Sequence, residues 1–330
     1  MRDAFIRALA ELVPRHPEVI LLSGDLGFGV FNEYIARFPR QFLNVGVAEQ
    51  NMSGLAAGLA LEGHTVFTYS IGNFPTLRCL EQIRNDICYH GANVKIVCVG
   101  GGMSYGPVGF SHHATEDLAI LRSLPRMLVL SPCDLWEAAE ATCYLVSHRG
   151  PAYLRLDKSA APQTVKPTDH FRPGNIRTVR EGSDVTLAAT GGILGEVLLA
   201  ADILADRGIF SRVLSVHTIK PIDTIALTAA ACQTGGIVSI EEHTVDGGLG
   251  GAIAETLMES GVFPRFFLRM GLRDTFSSIV GSQQYLRKVY SLDAAAIARA
   301  VSTRNALQSD RSSPEDLAGA GGHRPPTFLG

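Results

Sequence analysis

From Glu18 onward the chain alternates short, almost unbroken apolar runs with stretches at helical spacing, and that alternation confines it to one broad architecture. VILLSGD (19–25), TVFTYS (65–70), VKIVCVG (94–100), RMLVLSP (126–132) and PAYLRL (151–156) have the length and the β-branched character of strands. Helix-patterned stretches near 48–61, 75–90, 115–123 and 134–147 lie between them. A strand that is apolar throughout needs cover on both faces, and a parallel neighbour needs a long crossover. Helices between successive strands supply both. The pattern lapses across 157–182, where three prolines and mixed polar residues read as a linker with room for one short edge strand. It resumes as DVTLAAT (184–190), SRVLSVHT (211–218), GIVSIEEH (236–243) and RFFLRMG (265–271), with helical stretches near 193–207, 223–231 and 249–260. The expectation is two three-layer α/β domains with mainly parallel sheets. They span 1–160 and 183–305, joined by a linker at 161–182 and followed by a disordered tail at 306–330.

Composition narrows the function. Hydrophobic residues make up 46% of the 330 and charged residues only 18%, which allows a large core and points to a buried subunit interface. The net charge is −3 with no Lys/Arg cluster, which argues against nucleic-acid and anionic-membrane partners. The opening MRDAFIRALAELVPRHPE is interrupted by Arg2, Asp3, Arg7 and Glu11, so it reads as an amphipathic helix rather than a secretory leader. No apolar run reaches the ~20 residues of a membrane span. The six cysteines form no CxxC pair and fit buried free thiols in the cytoplasm.

Three places offer chemistry. Glu49, in FLNVGVAEQNMSGLAAGLAL (42–61), stands where a strand-like run enters a helix of Gly, Ala, Leu and Met. It reads either as an early-turn acid complementing the helix dipole or as a buried, proton-holding group. The helix itself offers almost no charge to pair with it, and Gly54, Ala57 and Gly58 permit close approach. His112 and His113, in GPVGFSHHATEDLA (106–119), follow a glycine-rich loop after a strand, at the sheet edge where open α/β folds bind ligands. The alternative is a surface loop with one packed and one exposed histidine, and no acid or cysteine completes a zinc set. Arg155, in YLRLDKS (153–159), ends a strand and suits either a phosphate or carboxylate ligand or a local pair with Asp157. VGGGMSYGPVG and EEHTVDGGLGG match no phosphate-binding glycine motif, and no GxSxG is present.

VGVAEQNM, FPTLRCLEQIRNDI (74–87), GFSHHATEDLAILRSLP (109–125), YLRLDKS, TIKPID and EEHTVDGGLGG occur in the order seen in transketolases. The chain resembles the pyrimidine-binding and C-terminal domains of that family across about 3–303. The resemblance implies thiamine diphosphate as cofactor. A glutamate at the position of Glu49 hydrogen-bonds the aminopyrimidine ring and favours the tautomer that activates the thiazolium carbon. The small-residue helix would then be a wall against which the cofactor sits. Phe74 resembles the aromatic that stacks on the pyrimidine. Arg78 and Gln82 follow it, with Arg78 facing the substrate entrance. His112, with His113 beside it, matches the histidine on the substrate's oxygens. Arg155 matches an arginine that holds a sugar phosphate, and Asp25, in SGDLG, an acid beside the cofactor at the dimer interface.

Gly24-Asp25-Leu26 with Asn51 mimics the metal motif of such enzymes but lacks its last glycine, and Asn51 lies beyond Glu49. The resemblance therefore implies that Mg²⁺ and the diphosphate are held by a separate subunit, an N-terminal half, in an α2β2 assembly. Gly100 and Val108 stand where the family carries a histidine and an aspartate, so a roomier, less polar pocket is expected. That suits a modified sugar or sugar phosphate rather than the standard substrates. The expected activity is transfer of a two-carbon ketol unit to an aldehyde. The alternatives are the beta subunit of a 2-oxoacid dehydrogenase and a non-catalytic scaffold.

Overall fold

The computed structural model describes residues 1–158 and 161–311. The first part contributes β1 (Val19–Ser23), β2 (Phe42–Asn44), β3 (Thr65–Ile71), β4 (Val94–Val99), β5 (Leu128–Leu130) and β6 (Ala152–Leu156). The second contributes β7 (Arg177–Arg180), β8 (Val185–Thr190), β9 (Ser211–Ser215), β10 (Thr218–Lys220), β11 (Ile237–Thr244) and β12 (Phe267–Leu272). They form two sheets, of order β10-β5-β6-β4-β3-β1-β2 and β12-β11-β8-β9-β7. All neighbours run parallel except β10 on β5 and β7 on β9. The α/β expectation is met, with mostly parallel strands and helices over the faces.

Period-two alternation divides the first sheet between two cores. Leu22, Val66, Ile96 and Cys98 point into one, against Met52 and Ala56 of the helix Glu49–Leu61 and Leu118 and Leu121 of the helix Asp117–Ser123. Leu21, Phe67, Tyr69, Val97 and Val99 point into the other, against Phe5 and Leu9 of the helix Arg2–Leu12 and Leu145 of the helix Leu135–Ser147. The first core continues into the second part through Leu227, Leu249 and Ile253, so the two sheets share apolar packing. A buried lysine interrupts β4. Lys95 Nζ donates to Asn93 Oδ1 (2.7 Å), the His148 carbonyl (2.8 Å) and the Gly150 carbonyl (2.6 Å), a full set for an ammonium taken out of water. Burial lowers its pKa to about 7.

Four expectations change. SRVLSVHT does not form one strand. It splits at Val216–His217, and its second half leaves for the other sheet as β10, held by the Ser131 N–H on the His217 carbonyl at 2.8 Å. The stretch near 75–90 is not one regular α-helix but a 3-10 turn (Leu77–Cys79), a short α segment (Leu80–Gln82) and a π-helix (Ile83–Cys88). Gly54 and Gly58 are exposed and meet nothing within 4 Å, so the close approach expected of them is not made within this chain. The last helix, Ala294–Arg311, reaches into the segment expected as tail, and the remainder of that segment, 312–330, lies outside the described residues.

Within the expected linker, Arg177 opens the edge strand β7 and clamps the two parts together. Its guanidinium meets Asp134 (2.6 Å), Glu137 (2.7 Å) and Asp169 (3.1 Å), while Ser215 of β9 donates to the same Glu137 at 2.6 Å.

Candidate active site

The carboxyl ends of β1, β3, β4 and β6 open onto one edge of the first sheet, and the candidate residues gather in the loops that leave it. Glu49 begins the helix Glu49–Leu61 and is 1% exposed. Gly24, just past β1, leaves room for it, since a Cβ there would stand 3.3 Å from Glu49 Oε1. Ser70, near the end of β3, donates to Oε1 at 3.0 Å, and Arg78 Nη1 donates to Oε2 at 2.8 Å. The counter-charge missing from the helix thus comes from a later element. Arg78 also lies over the Phe74 ring, 4.5 Å from its centroid. One planar cation therefore joins the carboxylate to the aromatic face.

His112 continues the row. Its imidazole meets the Phe74 ring edge-on at 5.1 Å and stands 6.4 Å from the Tyr105 ring. The backbones of these segments are pressed together at Gly72, where a Cβ would sit 2.7 Å from the His112 carbonyl oxygen. Burial lowers the His112 pKa below its ordinary 6.5, which favours the neutral imidazole at pH 7. His113 turns inward and is 2% exposed. Burial lowers its pKa too, against the opposing pull of Glu242.

The glycine-rich loop that carries these histidines is gripped by the second part of the chain. Glu242 accepts from the Met103 N–H (3.4 Å) and from Gln283 Nε2 (2.6 Å), and it forms a close ion pair with Arg287. Gly102 and Gly106 pass so near Glu242 and the Gly281 carbonyl that a Cβ at either would collide.

The remaining candidates are placed differently. Arg155 is 1% exposed and spends its donors internally, on Asp117 (2.9 Å) and on the carbonyls of Ala114 (2.8 Å) and Glu242 (2.9 Å). It is buried and braced from within: the carboxylate it hydrogen-bonds is Asp117, while Asp157 acts on it only through its charge. Asp25 is half-buried in the turn after β1 and accepts from Asn44 Nδ2 at 2.8 Å. Gln82 lies on the short helix after Arg78. At Gly100 the Tyr105 ring fills the space that a side chain would take, while Val108 is exposed. Ser70 and Tyr105 went unnoticed in the sequence. Ser70 sits in an otherwise strand-like run, and the pairing of Tyr105 with Gly100 exists only in space.

The donor set suits a flat, polar heterocycle: a buried carboxylate, an aromatic face and an imidazole side by side. Beside it, Asn73 Oδ1, Gln82 Oε1 and His113 Nε2 are buried without a hydrogen-bond partner among the described residues, as expected where a ligand completes the bonding. Among the described residues no group of three or more His, Cys, Asp or Glu could hold a metal ion, and no helix is long and apolar enough to cross a membrane.

Comparison with known proteins gives the relatives of this fold. Residues 1–164 match the transketolase pyrimidine-binding domain and residues 174–297 the transketolase C-terminal domain. The chain is 38% identical, over 91% of its length and 92% of the relative's, to a 6-deoxy-6-sulfo-D-fructose transketolase subunit of Clostridium sp. (strain MSTE9). It is 35% identical, over 80% of its length and 85% of the relative's, to one of the subunits of an apulose-4-phosphate transketolase of Actinobacillus succinogenes. A solved structure described as a split gene transketolase, inactive beta4 tetramer, superposes with a TM-score of 0.83 at 37% identity, covering 93% of this chain and 98% of that one.

Proposed function

Because this chain belongs to the transketolase family, a family dependent on thiamine diphosphate, we propose that it is the pyrimidine-binding subunit of a split transketolase. In this reading it acts with a second subunit to move a two-carbon ketol unit from a ketose to an aldehyde. The observation that carries the proposal is the buried Glu49 carboxylate, hydrogen-bonded by Ser70 and Arg78 and set beside the Phe74 and His112 rings. Thiamine diphosphate, when bound, supplies the carbon nucleophile and electron sink that ketol transfer needs.

This chain's residues divide the remaining work. Glu49 hydrogen-bonds a ring nitrogen of the pyrimidine and holds a proton there, away from water. Phe74 offers its face to the ring. Arg78 already makes both kinds of contact that a planar heterocycle would make, a hydrogen bond to Glu49 and a face contact with Phe74, and it is exposed enough to give way. Neutral His112, with His113 behind it, binds and orients the sugar's oxygens and carries a proton to or from them. Asp25 lies on the carboxyl edge that a partner would cover.

A partner subunit is supported by what that edge exposes. Phe28 is 84% exposed, Val47 76%, Phe110 58%, Phe276 69% and Val280 60%, in the loops and the 3-10 turn Phe110–His112 beside the candidate site. An apolar rim of this kind marks an interaction surface. We place the diphosphate and Mg²⁺ sites on that second subunit, in an α2β2 assembly. Relatives named for a sulfo-sugar and a sugar phosphate make a modified sugar the favoured substrate.

Glu49→Gln in the reconstituted complex tests the reading. Turnover of a ketose donor is expected to fall by ~10²–10⁴-fold, the range for losing a positioned proton-transfer group, with the complex still assembling on a sizing column. Full turnover in that variant would mean that Glu49 does not act on the cofactor.

A further inference from the structure

Arg84 and Arg126 flank a cleft on the far edge of the first sheet from Glu49. With Cys88, Tyr89 and Pro125 they enclose about 220 Å³ between the end of the π-helix Ile83–Cys88 and the turn into β5. Tyr89 comes before β4 and Arg126 just before β5, and both strands run parallel to β6. The cleft therefore opens where these strands begin, whereas Glu49 and His112 sit where they end.

Two guanidiniums line it, and no carboxylate among the described residues pairs with either. Arg84 Nη1 donates to Asn85 Oδ1 at 2.7 Å, and Arg126 Nη1 donates to the Tyr89 carbonyl at 3.0 Å. Each keeps further N–H donors unspent, in the fork that suits a carboxylate or phosphate. Arg126 also holds a left-handed backbone, φ +66°, which a residue with a side chain adopts only against resistance. Strain of this kind collects at ligand sites. A third cation stands behind the wall: Lys220 Nζ donates to the carbonyls of Arg122 (3.0 Å) and Leu124 (2.5 Å), and its charge reaches the Cys88 thiol.

The rest of the lining is apolar. Cys88 is 3% exposed, and burial raises its thiol to about 11, so it is a neutral, unreactive floor. Tyr89 and Pro125 are exposed and offer ring faces at the mouth. A few convergent charges on an apolar floor suit an organic anion rather than a bare ion. An apolar cavity of ~150 Å³ takes benzene, so this one has room for a single ring with its charged group.

We infer that this cleft binds a small ring-bearing oxyanion, an aromatic carboxylate or an aryl phosphate, with Arg84 and Arg126 on the oxyanion and Tyr89, Pro125 and Cys88 around the ring. It is a second site, and neither the cofactor nor a partner subunit is needed to form it.

Calorimetric titration of the full chain tests this with phenyl phosphate, benzoate, inorganic phosphate and benzyl alcohol as probes. Phenyl phosphate or benzoate is expected to bind more tightly than inorganic phosphate, which lacks the ring, and than benzyl alcohol, which lacks the charge. The tighter of the two names the oxyanion. Arg84→Gln and Arg126→Gly should each weaken that binding ~10–100-fold, the scale of a hydrogen bond to a charged group. Glycine at 126 takes the same left-handed backbone freely, so the turn is kept. Urea midpoints of both variants check the fold, and Arg84→Gln, on the exposed side of its helix, decides alone should the other unfold. Failure of both ring-bearing anions to bind wild type overturns the inference, as does equal binding in the variants. Inorganic phosphate binding as tightly as phenyl phosphate would strike the ring from the ligand and overturn the class proposed.

Discussion

Glu49 stays in a place closed to water because two donors from different elements reach it, Ser70 on one oxygen and Arg78 on the other. The glycine at 24 and the serine at 70 are as much part of the site as the acid, since a larger residue at either would displace the carboxylate or leave an oxygen bare. His112 is governed by burial instead. Its pKa lies below 6.5, so as pH falls from 7 it stays neutral until the medium is more acid than an ordinary imidazole would need. The acid limb of kcat/KM is therefore expected below pH 6.5 in wild type and lost in His112→Asn. An unchanged limb in the variant would assign it to another group.

The glycine-rich loop after β4 bridges to Ala114 through Gly101 and Gly102, and elements of the second part of the chain grip its other side. Glu242 at the end of β11, with Gln283 and Arg287 on the helix Gln283–Val289, fixes Met103 and through it the approach to His112. Removing one member of a buried ion pair costs ~3–5 kcal/mol. Glu242→Ala is expected near the lower end of that range, because Glu196 remains 3.6 Å from Arg287. Urea unfolding measures the loss, and kcat should fall with it as the loop slackens. A variant as stable as wild type would show that the loop holds itself.

At the scale of the molecule, the two sheets cannot be separated without breaking a strand pair. β10 leaves the second part to extend the first sheet, and Arg177 ties both to the helix Leu135–Ser147. The carboxyl edge, by contrast, is left apolar and open. The chain alone is expected to bind thiamine diphosphate weakly and the assembled complex tightly, by calorimetry with and without Mg²⁺. Tight, Mg²⁺-dependent binding to the isolated chain would place the whole cofactor site here and remove the need for a partner.

The sequence by itself determined the α/β class, the position of most strands and the identity of Glu49 and His112 as candidates, while Phe74 came from the family resemblance alone. The first three depend on local pattern: unbroken apolar runs, an acid at a helix start, histidines after a glycine loop. Only the tertiary structure decided where charges find each other. It paired Glu49 with Arg78, drew Arg155 inward onto Asp117, sent half of one apolar run into a second sheet, and filled the space at Gly100 with Tyr105. Those outcomes turn on contacts between residues far apart along the chain, and periodicity carries no record of them because it reports only which face a residue turns, not what waits on the other side.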